Sequence, residues 1–514
     1  MKLRIYSLIL IVFLASSCTS SFDDLNTNPD KTTQATSAML ATKLILGLDA
    51  TSSPSQWQNE FLVKRIFWGE QMDNYQYNRI EKGTFEYITY LMNAQKMVDF
   101  SSESDMNGYT GLYYFIKGWY FYRATMDMGD IPYVEALDVV NHRFPKYDSQ
   151  KDVFKYILDD LSKANDFFSK SKQSFNGDPF YNGEPLKWQK ATNVLRLKVL
   201  MALQKRADDT PDLQVKETFA SIVADNILFE SNDDNLQKNY SDINGQTNPY
   251  HRSSTRSIEV YAGSKMIIDP LKEYKDYRLF YYFAPAQALV DPDYLPEGQT
   301  LLLPNDWNAY NGLAVEAPFD QEQKKIATYM HNRPNDVYRL SYVGVPCIWL
   351  GYADMNFIIA EAVERGWITG NAKEYYEKGI RASFEFVRKT VPSEYNNNMP
   401  ITDEYIEAYL QGEHVAYKSS GNSNDRLKQI WMQTYLAGYF HMNRDAFYNH
   451  RRTGHPAFPI NPETNLNDAK DKIPVRWLYP DNESTTNKEQ LLIALRNQWG
   501  TEVEDVNRLM WVIK

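Results

Sequence analysis

The sequence predicts an all-α protein, a helical body that carries one long irregular segment. Two observations lead to this prediction. Apolar residues recur at helical spacing over long stretches, as at Val153, Ile157 and Leu161. Residues 229–350, in contrast, are dense in Asn, Asp, Gly, Pro and Tyr and show few helical periods. Long irregular stretches in compact proteins are usually functional, so we expect binding to occur there.

The helices before this segment are marked by local signals. Ser149 followed by Asp152 is typical of a helix start, and an apolar face follows it. Residues 188–207 keep the same periodicity, which predicts another helix. Residues 113–128 are helical in period and end at Gly129, a residue that favours the end of a helix.

Residues 352–387 predict two helices that pack against each other. The first helix ends near Gly366, and Asn371 begins the second. Small residues that allow close approach recur on both helices, namely Ala360, Ala362, Ala372, Gly379 and Ala382. The pattern is similar to a tetratricopeptide hairpin, in which small residues meet at the helix contact.

The start of the chain predicts export and a lipid anchor. An apolar run of about 11 residues follows Lys2 and Arg4, which suits a secretion signal but is too short to span a bilayer. Small residues then lead into Cys18, as in bacterial lipoprotein signals. We therefore expect residues 1–17 to be removed and Cys18 to be acylated, for example with palmitate. An ordinary secretory signal is the alternative.

After the predicted signal, the sequence predicts a tether and a single folded domain. Residues 18–36 have almost nothing to bury, which predicts a flexible tether between the lipid and the folded protein. Residues 37–514 show no Gly/Ser-rich or Pro-rich linker, and we expect them to form a single helical domain. Its loop-rich part is the segment at about 229–350.

Composition narrows the class of function. The 514 residues carry a net charge of −11, which becomes −13 once the two cations of residues 1–17 are lost. An acidic protein is a poor partner for nucleic acid, which requires basic surfaces. Cys347 lies in an apolar run and is expected to be a buried thiol.

The motifs of common enzymes and metal sites are missing from the sequence. It has no HExxH, no G-x-S-x-G, no P-loop and no G-x-G-x-x-G, so we predict no catalytic residues, metal or cofactor. His450 and His455 flank Arg451 and Arg452, which we expect to hold carbonyl and carboxylate groups. A pair of catalytic carboxylates is defined by spacing in the fold, so an α-helical glycoside hydrolase is one alternative.

Two aromatic and polar clusters are candidates for ligand binding. The first contains Trp68, Asp73, Asn74, Tyr75, Tyr77 and Arg79, and the second contains Trp307, Asn308, Tyr310 and Asn311. Sugars present an apolar ring face edged by hydroxyl groups, and flat aromatic rings beside directional polar groups suit them. The alternative for any single aromatic residue is a place in the core.

Several stretches, in order along the chain, resemble one family. They include "SFDDLNTNPDKTT" after Cys18, "MDMGDIPY", "YADMNFIIAEAVERGW" and "NRDAFYNHRRTGHPAF". Together they resemble the SusD/RagB-like outer-membrane lipoproteins.

The resemblance implies an all-α body with tetratricopeptide-like hairpins, tethered by lipid at the cell surface. It also implies a partner, a SusC-type TonB-dependent transporter, and a ligand that is an oligosaccharide or a peptide. Members of the family are not enzymes. A tetratricopeptide-type scaffold lipoprotein is a further alternative, although it leaves the Asn- and Tyr-rich middle segment unexplained.

We predict that Cys18→Ala yields a protein that is not acylated and no longer sediments with membranes, because the lipid is the anchor that the sequence offers. Palmitate labelling and fractionation measure both effects. Cys347→Ala is the matched control and should keep the label. Continued membrane association of Cys18→Ala in a strain without the transporter would contradict the prediction.

Overall fold

The computed structural model describes residues 35–49, 56–254, 256–441 and 444–514. Within these residues the chain forms nineteen α-helices and four short strands. The helices are α1 (Ser37–Leu46), α2 (Gln56–Leu62), α3 (Tyr87–Asp99), α4 (Met106–Met128), α5 (Gln150–Lys170), α6 (Pro185–Ala202), α7 (Val215–Asp225), α8 (Lys265–Glu273), α9 (Arg278–Tyr282), α10 (Gln287–Val290), α11 (Phe319–Ala327), α12 (Asp336–Leu340), α13 (Tyr352–Glu364), α14 (Ala372–Thr390), α15 (Asp403–Leu410), α16 (Ser423–Ala437), α17 (Asp445–Thr453), α18 (Glu483–Thr486) and α19 (Lys488–Trp499). The all-α class is confirmed. The predicted signal, Cys18 and nearly all of the predicted tether lie outside the described residues.

Helices α4, α5 and α6 pack in sequence. The predicted start of α5 is confirmed, since the Ser149 hydroxyl accepts a hydrogen bond from the Asp152 main-chain N–H at 3.2 Å. Helix α4 begins at Met106, earlier than the sequence predicted. It is buried on nearly every side, so no change between polar and apolar faces marks its first turns. Helix α6 begins at Pro185, a residue that suits a first helical position.

The predicted hairpin is confirmed as α13 and α14, which pack closely along their length. Gly379 of α14 lies against the ring of Phe357 in α13. A Cβ atom at position 379 would lie 2.6 Å from a carbon of that ring. Glycine is therefore what lets the two helices approach at this point.

The strands form two small antiparallel ladders that join distant parts of the chain. Strand β1 (Ile66–Trp68) pairs with β3 (Tyr261–Gly263), and β2 (Leu236–Lys238) pairs with β4 (Cys347–Leu350). Cys347 is buried in β4, as the sequence predicted. Among the described residues, no helix is long and apolar enough to cross a membrane.

The segment at 229–350 consists of loops joined by short elements. Its helices, α8 to α12, have nine residues or fewer, and strands β2, β3 and β4 also belong to it. Most of these elements are too short to be stable alone, so tertiary contacts must hold them. One such contact is made by Arg278, a fully buried side chain at the start of α9, which donates hydrogen bonds to Ser383 of α14 and Gln433 of α16.

Helices α13, α16 and α17 meet at one buried carboxylate, Glu361. Arg452 of α17 binds both of its oxygens, at 2.5 and 2.9 Å, and Arg365 binds one at 2.8 Å. The indole N–H of Trp431 in α16 donates to the other oxygen at 2.9 Å. Burial by itself raises the pKa of Glu361, but Arg452 and Arg365 outweigh it and hold the pKa at about 2. Neighbouring Arg451 binds the Val475 carbonyl at 2.6 Å, so both arginines act as the sequence predicted.

We predict that Glu361→Gln lowers the free energy of unfolding at pH 7 by roughly 3–5 kcal/mol, because it leaves two arginines without a buried counter-charge. The wild-type contribution is present above pH 4.5, the usual pKa, and is lost as the pH falls from there towards 2. The difference between the two proteins should therefore shrink over that range. Denaturant unfolding at pH 7, 4.5 and 3 measures it.

Glu374→Gln is the matched control, since Glu374 forms an exposed pair with Lys378 on α14. It should change the free energy of unfolding by less than about 1 kcal/mol at each pH. A difference between wild type and Glu361→Gln that does not vary with pH would show that Glu361 is not the linked group.

Candidate functional site

The first predicted cluster begins in β1, where the Trp68 side chain packs against other aromatic rings. Its indole stacks on Phe61 with ring centroids 6.0 Å apart, and Tyr261 packs edge-on at 6.2 Å. The main-chain N–H of Trp68 donates to the side chain of Gln76 at 3.0 Å. These contacts fix Trp68 as a half-buried support for the turn that follows.

Two buried charged groups shape that turn. Asp73 accepts a hydrogen bond from the main-chain N–H of Gln76 at 2.9 Å. The Lys64 ammonium donates to the carbonyl oxygens of Tyr75 and Gln76, at 2.8 and 2.6 Å. Burial raises the pKa of Asp73 and lowers the pKa of Lys64 to about 7. Both residues therefore position the turn from inside the protein.

The two tyrosines of this cluster face the interior to different degrees. Tyr75 is half-buried and packs edge-on against Trp477 at 6.2 Å. Tyr77 is 1% exposed, and its hydroxyl donates to the carbonyl of Ala317 at 3.0 Å. The Tyr77 side chain is therefore buried, and its hydrogen bond joins this turn to the loop-rich segment at 229–350.

Asn74 and Arg79 are the exposed members of the first cluster. Both reach Glu81, the amide of Asn74 at 3.5 Å and the Arg79 guanidinium at 3.3 Å. The first cluster thus offers a polar surface with Tyr75 beside it, while Trp68, Asp73 and Tyr77 support it.

The second predicted cluster lies on a single turn of 3-10 helix, Trp307–Ala309. The Asp306 carboxylate caps the turn by accepting the Asn308 N–H at 2.8 Å. Trp307 is half-buried, with its indole edge-on to Phe280 at 4.7 Å. The Lys275 ammonium lies 5.0 Å from the centre of the indole, and Asn308 is exposed beside it.

Tyr310 is fully buried, unlike Trp307. Its hydroxyl donates to the carbonyl of Pro304 at 2.9 Å, and burial raises its pKa. Tyr310 therefore stiffens the loop from within, and its side chain is not available to a surface ligand. Asn311 is exposed and donates to the Asn308 carbonyl at 3.0 Å.

Two tyrosines that the sequence analysis did not identify lie beside Trp307 and extend its aromatic surface. Tyr277 lies 6.2 Å from the indole, and Tyr405 of α15 stacks on Tyr277 with centroids 3.7 Å apart. Both are half-buried. The result is a row of partly exposed aromatic rings, the kind of surface on which sugar rings pack.

The loop that carries Trp307 is held by one buried amide. The Asn332 side chain donates to the carbonyls of Ala284 and Ala309, at 3.0 and 2.9 Å. Its oxygen accepts the main-chain N–H of Asn311 at 2.6 Å. Asn332 is completely buried, so these three bonds have no water to replace them.

An open cavity of about 440 Å³ adjoins this loop. Its polar lining comprises Gln287, Asp291, Arg333, Asn335, Asp336, Glu394, Tyr395 and Asn397. Phe280 connects the cavity to Trp307. Its ring packs on the indole. Its carbonyl accepts hydrogen bonds from the side chains of Asn335 and Asn397 in the cavity wall, at 2.9 and 2.8 Å.

A network of ion pairs partly balances the charged side chains in the cavity wall. Arg339 binds Glu259 at 2.8 Å and Asp336 at 2.6 Å, and Arg333 lies 3.3 Å from Glu259. Burial lowers the pKa of Arg333, and the positive charge of Arg339 adds to that effect. The wall therefore offers acceptors and donors in fixed directions, which suits a polyhydroxylated ligand. The described residues contain no group of three or more metal-ligating side chains.

The two predicted clusters are connected through the main chain. Strand β1 pairs with β3, and Gly263 at the end of β3 donates its N–H to the Asn332 carbonyl at 2.8 Å. The Trp307 loop differs from the first cluster in that a cavity lies beside its aromatic and polar groups.

The sequence analysis missed Glu394 and Asn397, which the loop between α14 and α15 brings to the cavity, and Tyr405 of α15, which stacks on Tyr277. One signal for part of them was available, the run Asn396 to Asn398. Asn397 and Asn398 adopt left-handed backbone conformations with φ of 51° and 60°, which asparagine tolerates better than most residues. No local signal places this loop beside Phe280.

Comparison with known proteins agrees with this architecture. A family model described as starch-binding and associating with the outer membrane matches residues 29–480. None of the curated proteins that were compared matches the sequence.

Solved structures resemble the chain over nearly its whole length. A SusD homologue from Bacteroides fragilis is 43% identical, with a TM-score of 0.87, over 93% of this chain and 100% of that one. A second SusD homologue from the same species is 30% identical, with a TM-score of 0.80, over 94% and 100%. A chitin-binding SusD homologue from Flavobacterium johnsoniae shares the fold at 18% identity and a TM-score of 0.67, over 93% and 98%.

We predict that Asn332→Ala loosens the loop that carries Trp307, because three main-chain groups lose their partner. The free energy of unfolding should fall by roughly 2–4 kcal/mol. Hydrogen exchange should accelerate at the amides of residues 309–313. Asn308→Ala is the control, since its side chain is exposed, and it should change neither quantity. Unchanged exchange in Asn332→Ala would show that other contacts hold the loop.

Proposed function

We propose a function from the premise that this chain belongs to the SusD-like family of starch-binding proteins that associate with the outer membrane. The family consists of carbohydrate- and nutrient-binding proteins rather than enzymes. On that basis the chain binds oligosaccharides, or as an alternative peptides, at the cell surface. Its ligand site is the Trp307 loop together with the adjoining cavity.

The observation that carries this proposal is the joining of a partly exposed indole to a polar cavity. A volume of about 440 Å³ is within the usual range for small-ligand sites. Trp307, Tyr277 and Tyr405 supply flat faces for the apolar side of a sugar. Glu394, Asn397 and Arg333 supply directional groups for its hydroxyls.

Binding at such a site should be modest in strength. The aromatic surface is only partly exposed and the cavity is open, so a ligand keeps much of its contact with water. We expect dissociation constants from micromolar to millimolar, which correspond to about −8 to −4 kcal/mol. Weak binding also allows the ligand to be released.

Release would be into a SusC-type TonB-dependent outer-membrane transporter, on which the protein acts as a lid. This step rests on the family, for which such a partner is implied. Attachment to the membrane would come from acylated Cys18, which lies outside the described residues and rests on the sequence pattern alone. The protein would be a lipid-anchored lipoprotein exposed on the outer membrane.

The proposal includes the absence of catalysis, and its alternatives are tested with the same assay. Purified protein is incubated with a panel of starch-derived, chitin-derived and other oligosaccharides. Binding without cleavage supports a capture protein, cleavage supports a glycoside hydrolase, and neither supports a scaffold. Chitin oligosaccharides are included because a relative that shares the fold is described as chitin-binding.

We predict that Trp307→Ala weakens binding of the best oligosaccharide at least about tenfold, because the largest aromatic face of the site is lost. Calorimetric titration measures the affinity, and a thermal melt shows whether the fold is retained. Trp499→Ala removes another half-buried indole and is the matched control. Tyr75→Ala tests whether the first cluster also contacts the ligand.

Two results would contradict the placement of the site. Unchanged affinity in Trp307→Ala would show that the ligand binds elsewhere. A loss of stability of roughly 3–5 kcal/mol would show that Trp307 acts mainly as a core residue.

A further inference from the structure

A second open cavity, also of about 440 Å³, lies between helices α4 and α5. It shares no lining residue with the cavity beside Trp307. Three tyrosines line it, Tyr113 from α4, Tyr156 from α5 and Tyr133 from the loop between them.

The floor of this cavity is built from buried, mutually bonded groups. The Tyr133 hydroxyl donates to Asp160 at 2.5 Å, and the Lys117 ammonium reaches the same carboxylate oxygen at 2.8 Å. Lys117 also lies 4.6 Å from the centre of the Tyr133 ring, and Lys163 binds the other oxygen of Asp160 at 3.0 Å. Asp160 is 4% exposed, so the floor is a fixed part of the fold.

The walls of the cavity, in contrast, carry hydroxyl groups that are available to a ligand. Tyr113 and Tyr156 are half-buried, and within the described residues neither hydroxyl has a hydrogen-bond partner. The Tyr156 ring lies 5.3 Å from that of Tyr133, which fixes its position. Burial and the nearby Asp160 raise the pKa of Tyr113 to about 12, so its hydroxyl stays protonated and can donate.

The balance of charge indicates what kind of ligand fits. Two lysines and three aspartates line the cavity, and Asp160 is already bound to both lysines. Both lysines are thus already paired, so the described lining of the cavity offers no free cation to an anionic ligand, and it carries a net charge of −1. Tyrosine faces and phenol hydroxyls, with the apolar side chains of Val134 and Leu137 beside them, suit a neutral ring that carries hydroxyl groups.

We propose that this tyrosine cavity is a second sugar-binding site, which takes a neutral sugar ring. Tyr113 and Tyr156 contact the sugar, and the Tyr133, Asp160 and Lys117 floor positions them. Two sites on one tethered molecule can bind two parts of the same polysaccharide. The second contact is then intramolecular and raises the overall affinity for long chains above that for short ones.

The test uses the full folded domain and a panel of neutral hexasaccharides, namely maltohexaose, chitohexaose, xylohexaose and mannohexaose. Hydroxyl-radical footprinting is done with each sugar at about 10 mM, which fills sites of millimolar affinity. At least one sugar should protect Tyr113 and Tyr156 from oxidation. Protection should persist in Trp307→Ala, because the two cavities are separate.

Variants then separate a sugar site from a structural feature. Tyr156→Ser should weaken binding in the tyrosine cavity at least about tenfold without lowering the melting temperature appreciably. Tyr113→Phe keeps the ring and should have a smaller effect. Tyr375→Ser, a half-buried tyrosine on α14, is the matched control and should change nothing.

Three outcomes would overturn the proposal. The first is that no sugar in the panel protects Tyr113 or Tyr156. The second is that protection disappears in Trp307→Ala, which would mean a single site. The third is that Tyr156→Ser leaves sugar binding intact and instead reduces association with the transporter, which would make the cavity a protein contact. None of these outcomes decides the function proposed for the Trp307 site, which is tested separately by the calorimetric titration of Trp307→Ala.

Discussion

The candidate site depends most on one buried ion pair, Arg278 with Asp276. The two side chains are fully buried, with the guanidinium 2.6 Å from the carboxylate. Arg278 also donates to Ser383 of α14 at 2.9 Å and to Gln433 of α16 at 2.8 Å, and the Tyr409 hydroxyl of α15 binds Asp276 at 2.6 Å. Removing one partner of such a pair leaves an uncompensated charge in the interior, which is strongly unfavourable. The irregular segment is thereby attached to three helices of the body.

That attachment explains how a loop-rich segment can hold a binding site. Phe280 and Tyr277 are neighbours of Arg278 in the chain, so their rings are fixed relative to the helical body. Trp307 packs on both rings, and its loop is held by Asn332. An aromatic face that is rigid before the ligand arrives loses little conformational entropy on binding. The protein therefore combines an irregular surface with a preorganised position for each ring.

The two cavities are built by different means but present similar chemistry. The cavity beside Trp307 is formed by loops and needs buried amides to keep its shape. The tyrosine cavity lies between two long helices, and its shape follows from their packing. Both place tyrosine or tryptophan rings beside polar groups, and in both the lining carries a small net negative charge. This agrees with binding of neutral, hydroxyl-rich ligands by a protein whose net charge is strongly negative.

The sequence by itself determined the helical class, the start of α5 at Ser149 and the α13–α14 hairpin, because caps, periodicity and small residues act within one or two turns. It also identified Trp307 and Asn308 on the surface loop. It could not distinguish these from Tyr77 and Tyr310, which have similar neighbours but are buried, since burial depends on contacts with Ala317, Phe280 and Pro304. Tyr405, Asn397 and Glu394 reach the site only through the packing of α14 and α15. Local signals fix elements, whereas the position of each side chain at the site is set by contacts between residues far apart in the chain.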